Sequence, residues 1–300
     1  MTDNNLQQAM LPEGCTVFHN TAGTAPGCAF EKDGKVVVML PGPPKECRIM
    51  LEKSAIPYLR QLSDEKIVSH TINIFGIGES AMETRLRSFM DGANPTVAPY
   101  SREGECWVRV TAKGANEQEC EALMEPVIED ICDKMGDLVY GIDCASLEER
   151  VLQLLQEKNT SLAVAESCTG GLLAQRITDI PGASAHFLGG VVTYTEDAKV
   201  RLLDMDEDLI AENGVVSMPV AAKMAKRVRK ALGSDIGIGI TGWAGPDGDD
   251  VGLVFVALAS RSGCFVRRLQ CGHAPRPRIR LIAASNALDM IRRYLTGLDV

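Results

Sequence analysis

The segment from Ala165 to Gly171, which reads A-E-S-C-T-G-G, constrains the fold of this chain more than any other segment. A short apolar run, 162–165, precedes it, and a second apolar run, 172–177, follows it. This pattern predicts a strand, a glycine-rich turn and a helix. Backbone N–H groups at the start of a helix are free to bind an anion. The hydroxyl of Ser167 is therefore predicted to lie beside an anion-binding position.

Strands and helices alternate along the 300 residues, and the chain divides into three segments. We expect a partial α/β fragment over 1–66, a small α+β module over 67–143 and a layered α/β domain over 144–300. The first segment is predicted to hold one strand pair and one helix, which is too little for a core of its own. The α+β module is predicted to have two helices and about three strands. The fold class is α/β.

The composition argues against several classes of protein. A formal net charge of -9 is atypical of a general nucleic-acid binder, whose surface is usually basic. No apolar run approaches the roughly 20 residues needed to cross a bilayer, and the first residues show no signal-peptide pattern. The ten cysteines are scattered and include no C-x-x-C pair, which favours free thiols in a reducing compartment. We therefore expect a cytoplasmic protein.

Several short motifs follow one another in the third segment. They are A-E-S-C-T-G-G at 165–171, P-G-A-S at 181–184, V-V-T-Y-T-E-D-A-K at 191–199, G-V-V-S at 214–217 and T-G-W-A-G-P-D-G at 241–248. Together they resemble the C-terminal domain of the CinA (competence/damage-inducible) family over almost all of 146–295. The resemblance implies a nicotinamide-mononucleotide amidohydrolase, an enzyme that hydrolyses a carboxamide and releases ammonia.

Other stretches resemble the remainder of a CinA protein. Residues 20–27 (N-T-A-G-T-A-P-G) and 40–46 (L-P-G-P-P-K-E) are similar to the second half of its molybdopterin-binding-like domain. Residues 75–80 (F-G-I-G-E-S) begin a stretch similar to its KH-like linker domain. The family's N-terminal domain normally starts with a glycine-rich, acidic phosphate- and metal-binding stretch, and Met1 falls after the place where that stretch ends. We therefore expect the first segment to be a partial domain without nucleotide pyrophosphatase activity.

The resemblance implies amide hydrolysis of the Ser-Lys type. Ser167 is the implied nucleophile, Lys199 the base, and Tyr194 a group that orients Lys199 or passes a proton. A lysine can act as the base only when burial lowers its pKa towards neutrality. Taken alone, Ser167 is also compatible with a helix cap, Lys199 with a solvated lysine, and Tyr194 with a core residue that has a polar tip. Cys168 is the rival nucleophile, although no histidine lies close to it in sequence.

A second set of residues is expected to contact the nucleotide. The expected substrate-binding residues are Glu166, Thr169, Gly170, Gly171, Thr193, Thr241, Gly242, Gly245, Arg276 and Arg280. The sequence leaves open whether the N–H groups of 169–171 hold the oxyanion or the phosphate, and whether Glu166 accepts a ribose hydroxyl or holds the turn. Arg276 and Arg280 match the family pattern G-x-R-x-x-I-R, with two extra residues, and a guanidinium there can bind phosphate bidentately. Arg278 is equally compatible with a solvated first turn of a helix.

We predict no cofactor and no metal for this reaction. The expected partner is a small nucleotide substrate, with no nucleic acid and no membrane, and the chain is expected to form a homo-oligomer. The competing hypothesis is a non-catalytic nucleotide-binding or regulatory protein linked to competence and DNA damage. The joint presence of Ser167, Tyr194 and Lys199 favours the enzyme, because a degraded family member is expected to lose one of them.

Overall fold

The computed structural model of the chain describes residues 7–102 and 104–300. The strands are β1 (Thr16–Phe18), β2 (Gly27–Lys32), β3 (Lys35–Met39), β4 (Lys66–Ile74), β5 (Thr96–Arg102), β6 (Glu105–Gly114), β7 (Val139–Ile142), β8 (Leu162–Glu166), β9 (Phe187–Val192), β10 (Ile236–Gly242), β11 (Leu253–Ala259) and β12 (Cys264–Gln270). The chain divides into two compact units, Met1–Val68 with Lys113–Ala122 and Ser69–Ala112 with Leu123–Val300.

Helices cover much of the remaining chain. They are α1 (Pro44–Met50), α2 (Ile56–Arg60), α3 (Glu79–Leu86), α4 (Glu117–Met135), α5 (Leu147–Glu157), α6 (Leu172–Thr178), α7 (Glu196–Leu203), α8 (Glu207–Asn213), α9 (Met218–Leu232) and α10 (Arg276–Thr296), with a π-helical turn, Leu51–Ala55, between α1 and α2. Within the described ranges, none of these helices combines the length and the apolarity that a membrane span requires.

The first unit contains a small antiparallel sheet in the order β1-β2-β3. Its core consists of Phe18, Ala29, Met50 and Ala55. The sequence predicted one strand pair here and missed β1, because three residues are too few to show an alternating pattern. The helix predicted over 45–62 is present as α1, the π-helical turn and α2.

The α+β module has a four-stranded sheet in the order β5-β6-β4-β7, where about three strands were predicted. The alternating pattern of 105–112 predicts a strand, and β6 confirms it, since Val108 and Val110 are buried while Arg109 is exposed on the other face. β5 contains Pro99, which argues against a strand in general but is tolerated at the edge of a sheet. β7 has four residues, too few for the pattern to identify.

The C-terminal domain is a layered sheet in the order β12-β11-β10-β8-β9. β8 runs parallel to β9 and to β10, and β11 and β12 extend the sheet in antiparallel fashion. Side chains of β8 alternate between two cores: Leu162 and Val164 pack with α5, α6 and α10, whereas Ala163 and Ala165 pack with α7, α8 and α9. The predicted α/β layering is confirmed.

Two glycines in β10 allow helix α9 to lie directly on the sheet. A Cβ at Gly237 would overlap the carbonyl oxygen of Ala225, and one at Gly239 would overlap that of Ala221. The strands β8, β9 and β10 are parallel to one another, so their carboxyl ends lie at the same edge of the sheet. Ligands of open α/β sheets commonly bind at the carboxyl ends of such strands.

Candidate active site

Ser167 follows β8 directly at this carboxyl edge. Its N–H donates a 3.0 Å hydrogen bond to the carbonyl oxygen of Ile240, which ties the turn to β10. The residue is 8% exposed and lines a cavity of about 280 Å³. A molecule in this cavity can therefore reach the Ser167 hydroxyl.

Lys199 is the buried partner of Ser167. Its Nζ lies 3.2 Å from Oγ of Ser167 and donates a 2.8 Å hydrogen bond to the carbonyl oxygen of Thr193. The first turn of α7 positions it, and the hydroxyl of Thr195 caps that turn by accepting from the N–H of Ala198. Lys199 is 0% exposed, and burial lowers its pKa from 10.5 to about 8. A general base needs a pKa in this range to be partly neutral near physiological pH.

The carboxylate of Glu166 holds the turn that carries Ser167. Its Oε2 accepts from the N–H groups of Gly171 (3.0 Å) and Leu173 (3.1 Å), and its Oε1 accepts from that of Ala174 (2.8 Å). Glu166 is 1% exposed, and its carboxylate lies at the start of α6, where a negative charge is favourable. Of the two roles left open by the sequence, this geometry favours holding the turn over accepting a ribose hydroxyl.

The glycine turn offers fewer free N–H groups than the sequence suggested. The N–H of Gly170 donates to the carbonyl of Ser167 at 3.0 Å, and that of Gly171 donates to the carboxylate just described. The expectation that these two amides bind the oxyanion or the phosphate is corrected, because both already have acceptors. The N–H groups of Cys168 and Thr169 donate to no backbone carbonyl in the described ranges. Cys168 follows the proposed nucleophile, which is where nucleophile turns commonly supply an oxyanion donor.

The side chain of Cys168 is itself poorly suited to be the nucleophile. It is buried in the core that contains α5, α6 and α10. Burial raises the pKa of its thiol to about 12, so the thiol stays protonated at physiological pH. The structure therefore favours Ser167 over its neighbour.

Arg276 and Arg280 brace the loops around the cavity. Nη1 and Nη2 of Arg276 donate 2.5 Å hydrogen bonds to the carbonyl of Gly245 and to the hydroxyl of Tyr194. Nε and Nη2 of Arg280 donate to the carbonyl of Thr169 at 3.2 and 2.6 Å. Arg280 thus stabilises the nucleophile turn, whereas the exposed Arg276 lines the cavity.

Tyr194 does not orient Lys199 in the way that the resemblance implied. Its hydroxyl bonds to Arg276, and the residue is 55% exposed at the mouth of the cavity. The backbone carbonyl of Thr193 orients Lys199 instead. Successive side chains of an extended segment point in opposite directions, so Thr193 lies inside while Tyr194 faces out.

The predicted threonines are all buried, and only one of the three lines the cavity. Thr169, Thr193 and Thr241 are each fully buried. Oγ1 of Thr241 donates to the carbonyl of Val215 at 2.8 Å, and Oγ1 of the other two has no hydrogen-bond partner among the described residues. Of the three, Thr241 lines the cavity and the other two do not.

The loop after β10 forms the far wall of the cavity. Gly242 and Gly245, two of the expected substrate-binding residues, line it, and so do Trp243, Asp247 and residues 215–216. Sequence reasoning did not single out these additional residues, although they belong to motifs that it had identified. A motif indicates that a loop matters but not which of its side chains face inward. In the part of the chain that the structure describes, no cluster of His, Cys, Asp and Glu side chains is arranged to hold a metal ion.

Comparison with known proteins places the chain in a family. The model of the CinA C-terminal domain matches residues 144–295, and the model of the damage-inducible protein CinA KH domain matches residues 69–141. A CinA-like protein of Desulfovibrio desulfuricans is 48% identical over 304 residues, which cover 99% of this chain and 72% of that protein. The chain belongs to the CinA family.

A second relative and one solved structure are also similar to this chain. A CinA-like protein of Dictyoglomus turgidum is 41% identical over 99% of this chain and 74% of its own length. The solved structure of competence/damage inducible protein CihA from Agrobacterium tumefaciens is 34% identical and covers 50% of this chain and 93% of that chain, with a TM-score of 0.48. The family assignment confirms the resemblance noted in the sequence and the predicted KH-like module. The names of these relatives specify no reaction.

Proposed function

We propose that this CinA protein hydrolyses the carboxamide of nicotinamide mononucleotide to nicotinate mononucleotide and ammonia. The observation that carries the proposal is the buried Lys199 Nζ, 3.2 Å from the Ser167 hydroxyl at the edge of a cavity. The neutral amine removes the hydroxyl proton as Oγ bonds to the carboxamide carbon. The N–H of Cys168 donates a hydrogen bond to the oxyanion that forms.

Collapse of this tetrahedral intermediate completes the first half of the reaction. The ammonium group of Lys199 returns the proton to the amide nitrogen, the C–N bond breaks, and ammonia leaves an ester of Ser167. Water then attacks the ester, with Lys199 again accepting the proton and returning it to Oγ. Nicotinate mononucleotide is released, and the Ser167 hydroxyl and the Lys199 amine are restored.

The charged groups around the cavity support a mononucleotide as substrate. Arg276 offers a guanidinium, which suits a phosphate group. The carboxylate of Asp247 and the ring of Trp243 lie in the same lining. Both suit the positively charged pyridinium ring of nicotinamide mononucleotide, the first by charge and the second by cation–π attraction.

The direct test measures ammonia and nicotinate mononucleotide after nicotinamide mononucleotide is added to the purified protein. We expect the two products in equal amounts. We also expect the same rate with and without a chelator, because the proposed nucleophile and base are both side chains of this chain. Binding of the nucleotide without release of ammonia would instead support the non-catalytic, regulatory hypothesis.

Replacing Glu166 tests whether it positions the nucleophile. In Glu166→Gln one oxygen becomes an NH2 group that faces backbone donors, so we expect the free energy of unfolding to fall by about 1–3 kcal/mol. We expect kcat to fall about tenfold or more while KM stays within about twofold, because a displaced nucleophile impairs chemistry rather than binding. Urea unfolding and steady-state ammonia release measure these quantities.

Glu212→Gln is the matched control, since Glu212 is an exposed carboxylate of α8. It should change neither quantity. A large rise in KM for Glu166→Gln, with unchanged stability, would instead assign Glu166 to binding the ribose.

A further inference from the structure

A second cavity lies within the larger compact unit, between the KH-like module and the C-terminal domain. We call it the second cleft. Its volume is about 810 Å³, which lies within the range typical of small-molecule sites. The module contributes residues 75–79, 101–102 and 104–106, and α10 contributes Arg278, Ile282, Ser285 and Asn286. The proposed amidase reaction uses none of these residues.

The start of α10 contributes positive charge to the second cleft. The first two turns of this helix carry Arg276, Arg278 and Arg280. No acidic residue lies in the first of these turns. Positive charge is unfavourable at the start of a helix. Carbonyl oxygens accept hydrogen bonds from Arg276 and Arg280. The exposed guanidinium of Arg278 donates to no acceptor among the described residues, so within these ranges it is available to a ligand of the second cleft.

The carboxylates of the second cleft are largely committed to other groups. Oε2 of Glu105 accepts from the hydroxyl of Tyr140 and from Nη2 of Arg102, both at 2.7 Å. Oε2 of Glu79 accepts from the hydroxyl of Ser101 at 2.5 Å. Oε1 of Glu79 accepts no hydrogen bond within the described ranges and remains able to accept one from a ligand hydroxyl.

Apolar side chains complete the lining. Phe75 is buried, and Ile77 and Ile282 are half-buried. An apolar wall suits a flat ring, the guanidinium suits a phosphate, and the free carboxylate oxygen suits a sugar hydroxyl. We propose that the second cleft binds a nucleoside monophosphate at a site separate from the amidase cavity.

The same helix connects the second cleft to the amidase cavity. Arg276 and Arg280 of α10 contact the amidase loops, while Arg278 and Ile282 line the second cleft. Nη1 of Arg176, from the helix that follows the nucleophile turn, also donates to the Ser285 hydroxyl of the second cleft at 2.8 Å. A ligand that shifts α10 therefore changes substrate binding, and the substrate changes the affinity for that ligand by the same factor. This coupling rests on the proposed amidase function, whereas the proposed binding of a nucleotide in the second cleft does not depend on that function.

Calorimetric titration of the full chain with adenosine monophosphate tests the site. We expect Arg278→Ala to weaken binding by at least about tenfold, because a charge-assisted contact with phosphate is lost. Arg276→Ala should stay within about twofold, and so should Lys230→Ala, which removes an exposed charge from the last turn of α9. Absence of binding to the intact protein at millimolar ligand would overturn the proposal. The proposal would also be overturned if Arg276→Ala lost the binding of adenosine monophosphate and Arg278→Ala retained it, because that result would place the ligand in the amidase cavity.

A variant that fills the second cleft provides an independent check. A Cβ at Gly78 would meet no atom within 4 Å, and its φ of -80° is accessible to any residue. Gly78→Phe should therefore fold, abolish binding of adenosine monophosphate and leave ammonia release without that ligand unchanged. Adenosine monophosphate should also change KM for nicotinamide mononucleotide in the intact protein but not in Arg278→Ala. If Arg278→Ala weakens binding of adenosine monophosphate but the intact protein releases no ammonia, the site in the second cleft would be supported and the proposed amidase function refuted.

Discussion

Ser167→Ala is expected to lower the rate of ammonia release from nicotinamide mononucleotide by at least about a thousand-fold. The variant lacks the oxygen that forms the ester, and no other hydroxyl of the lining accepts a bond from Lys199. The unfolding free energy should change little, because Ser167 is small and its backbone N–H still bonds to Ile240. Steady-state ammonia release and urea unfolding of the same preparation separate the two effects.

Cys168→Ala is the control for that experiment. The thiol is buried, with a pKa raised to about 12, so its removal should leave most of the activity. The backbone N–H of residue 168 is retained in this variant and can still donate to the oxyanion. Activity that survives in Ser167→Ala and disappears in Cys168→Ala would transfer the nucleophilic role to the thiol.

The second large effect concerns Lys199, whose neutral form is the proposed base. Burial lowers its pKa to about 8, so the amine is mostly protonated below that pH and mostly neutral above it. The rate of ammonia release should therefore rise as pH increases through about 8 and then level off. A rate that falls over the same interval would show that the ammonium form is the active one.

Substitutions at Lys199 distinguish a base from a fixed positive charge. Lys199→Ala and Lys199→Arg should both lose about a hundred-fold to ten-thousand-fold in kcat, because a guanidinium stays protonated and cannot accept the proton. Lys223→Arg is the matched control, since Lys223 is ion-paired with Asp206 in the same domain and does not line the cavity. Substantial turnover by Lys199→Arg would instead assign Lys199 an electrostatic role.

Much of the secondary structure that positions the site could be predicted from the sequence. The strand before Ser167 and the helix after it are present near the predicted residues, and so is the long C-terminal helix that the apolar pattern predicts over 276–295. These segments have strong apolar periodicity or an unbroken apolar run, both of which depend on local chemistry alone. Among the missed elements, β7 is short and β5 contains Pro99, a residue that disfavours a strand. The sequence also did not predict α7, α8 or β12, which are seven or eight residues long and contain charged side chains.

The sequence by itself determined which residues are candidates for the chemistry, because the apolar pattern predicts Ser167 at a strand end and the family resemblance singles out Lys199. Only the tertiary structure decided how they meet. The parallel pairing of β8 and β9 places the Thr193 carbonyl where it accepts from Lys199, while Tyr194 turns outward to Arg276. Burial by neighbouring layers lowers the pKa of Lys199. These contacts join residues far apart in sequence, so local patterns carry no information about their distances, exposure or hydrogen-bond partners.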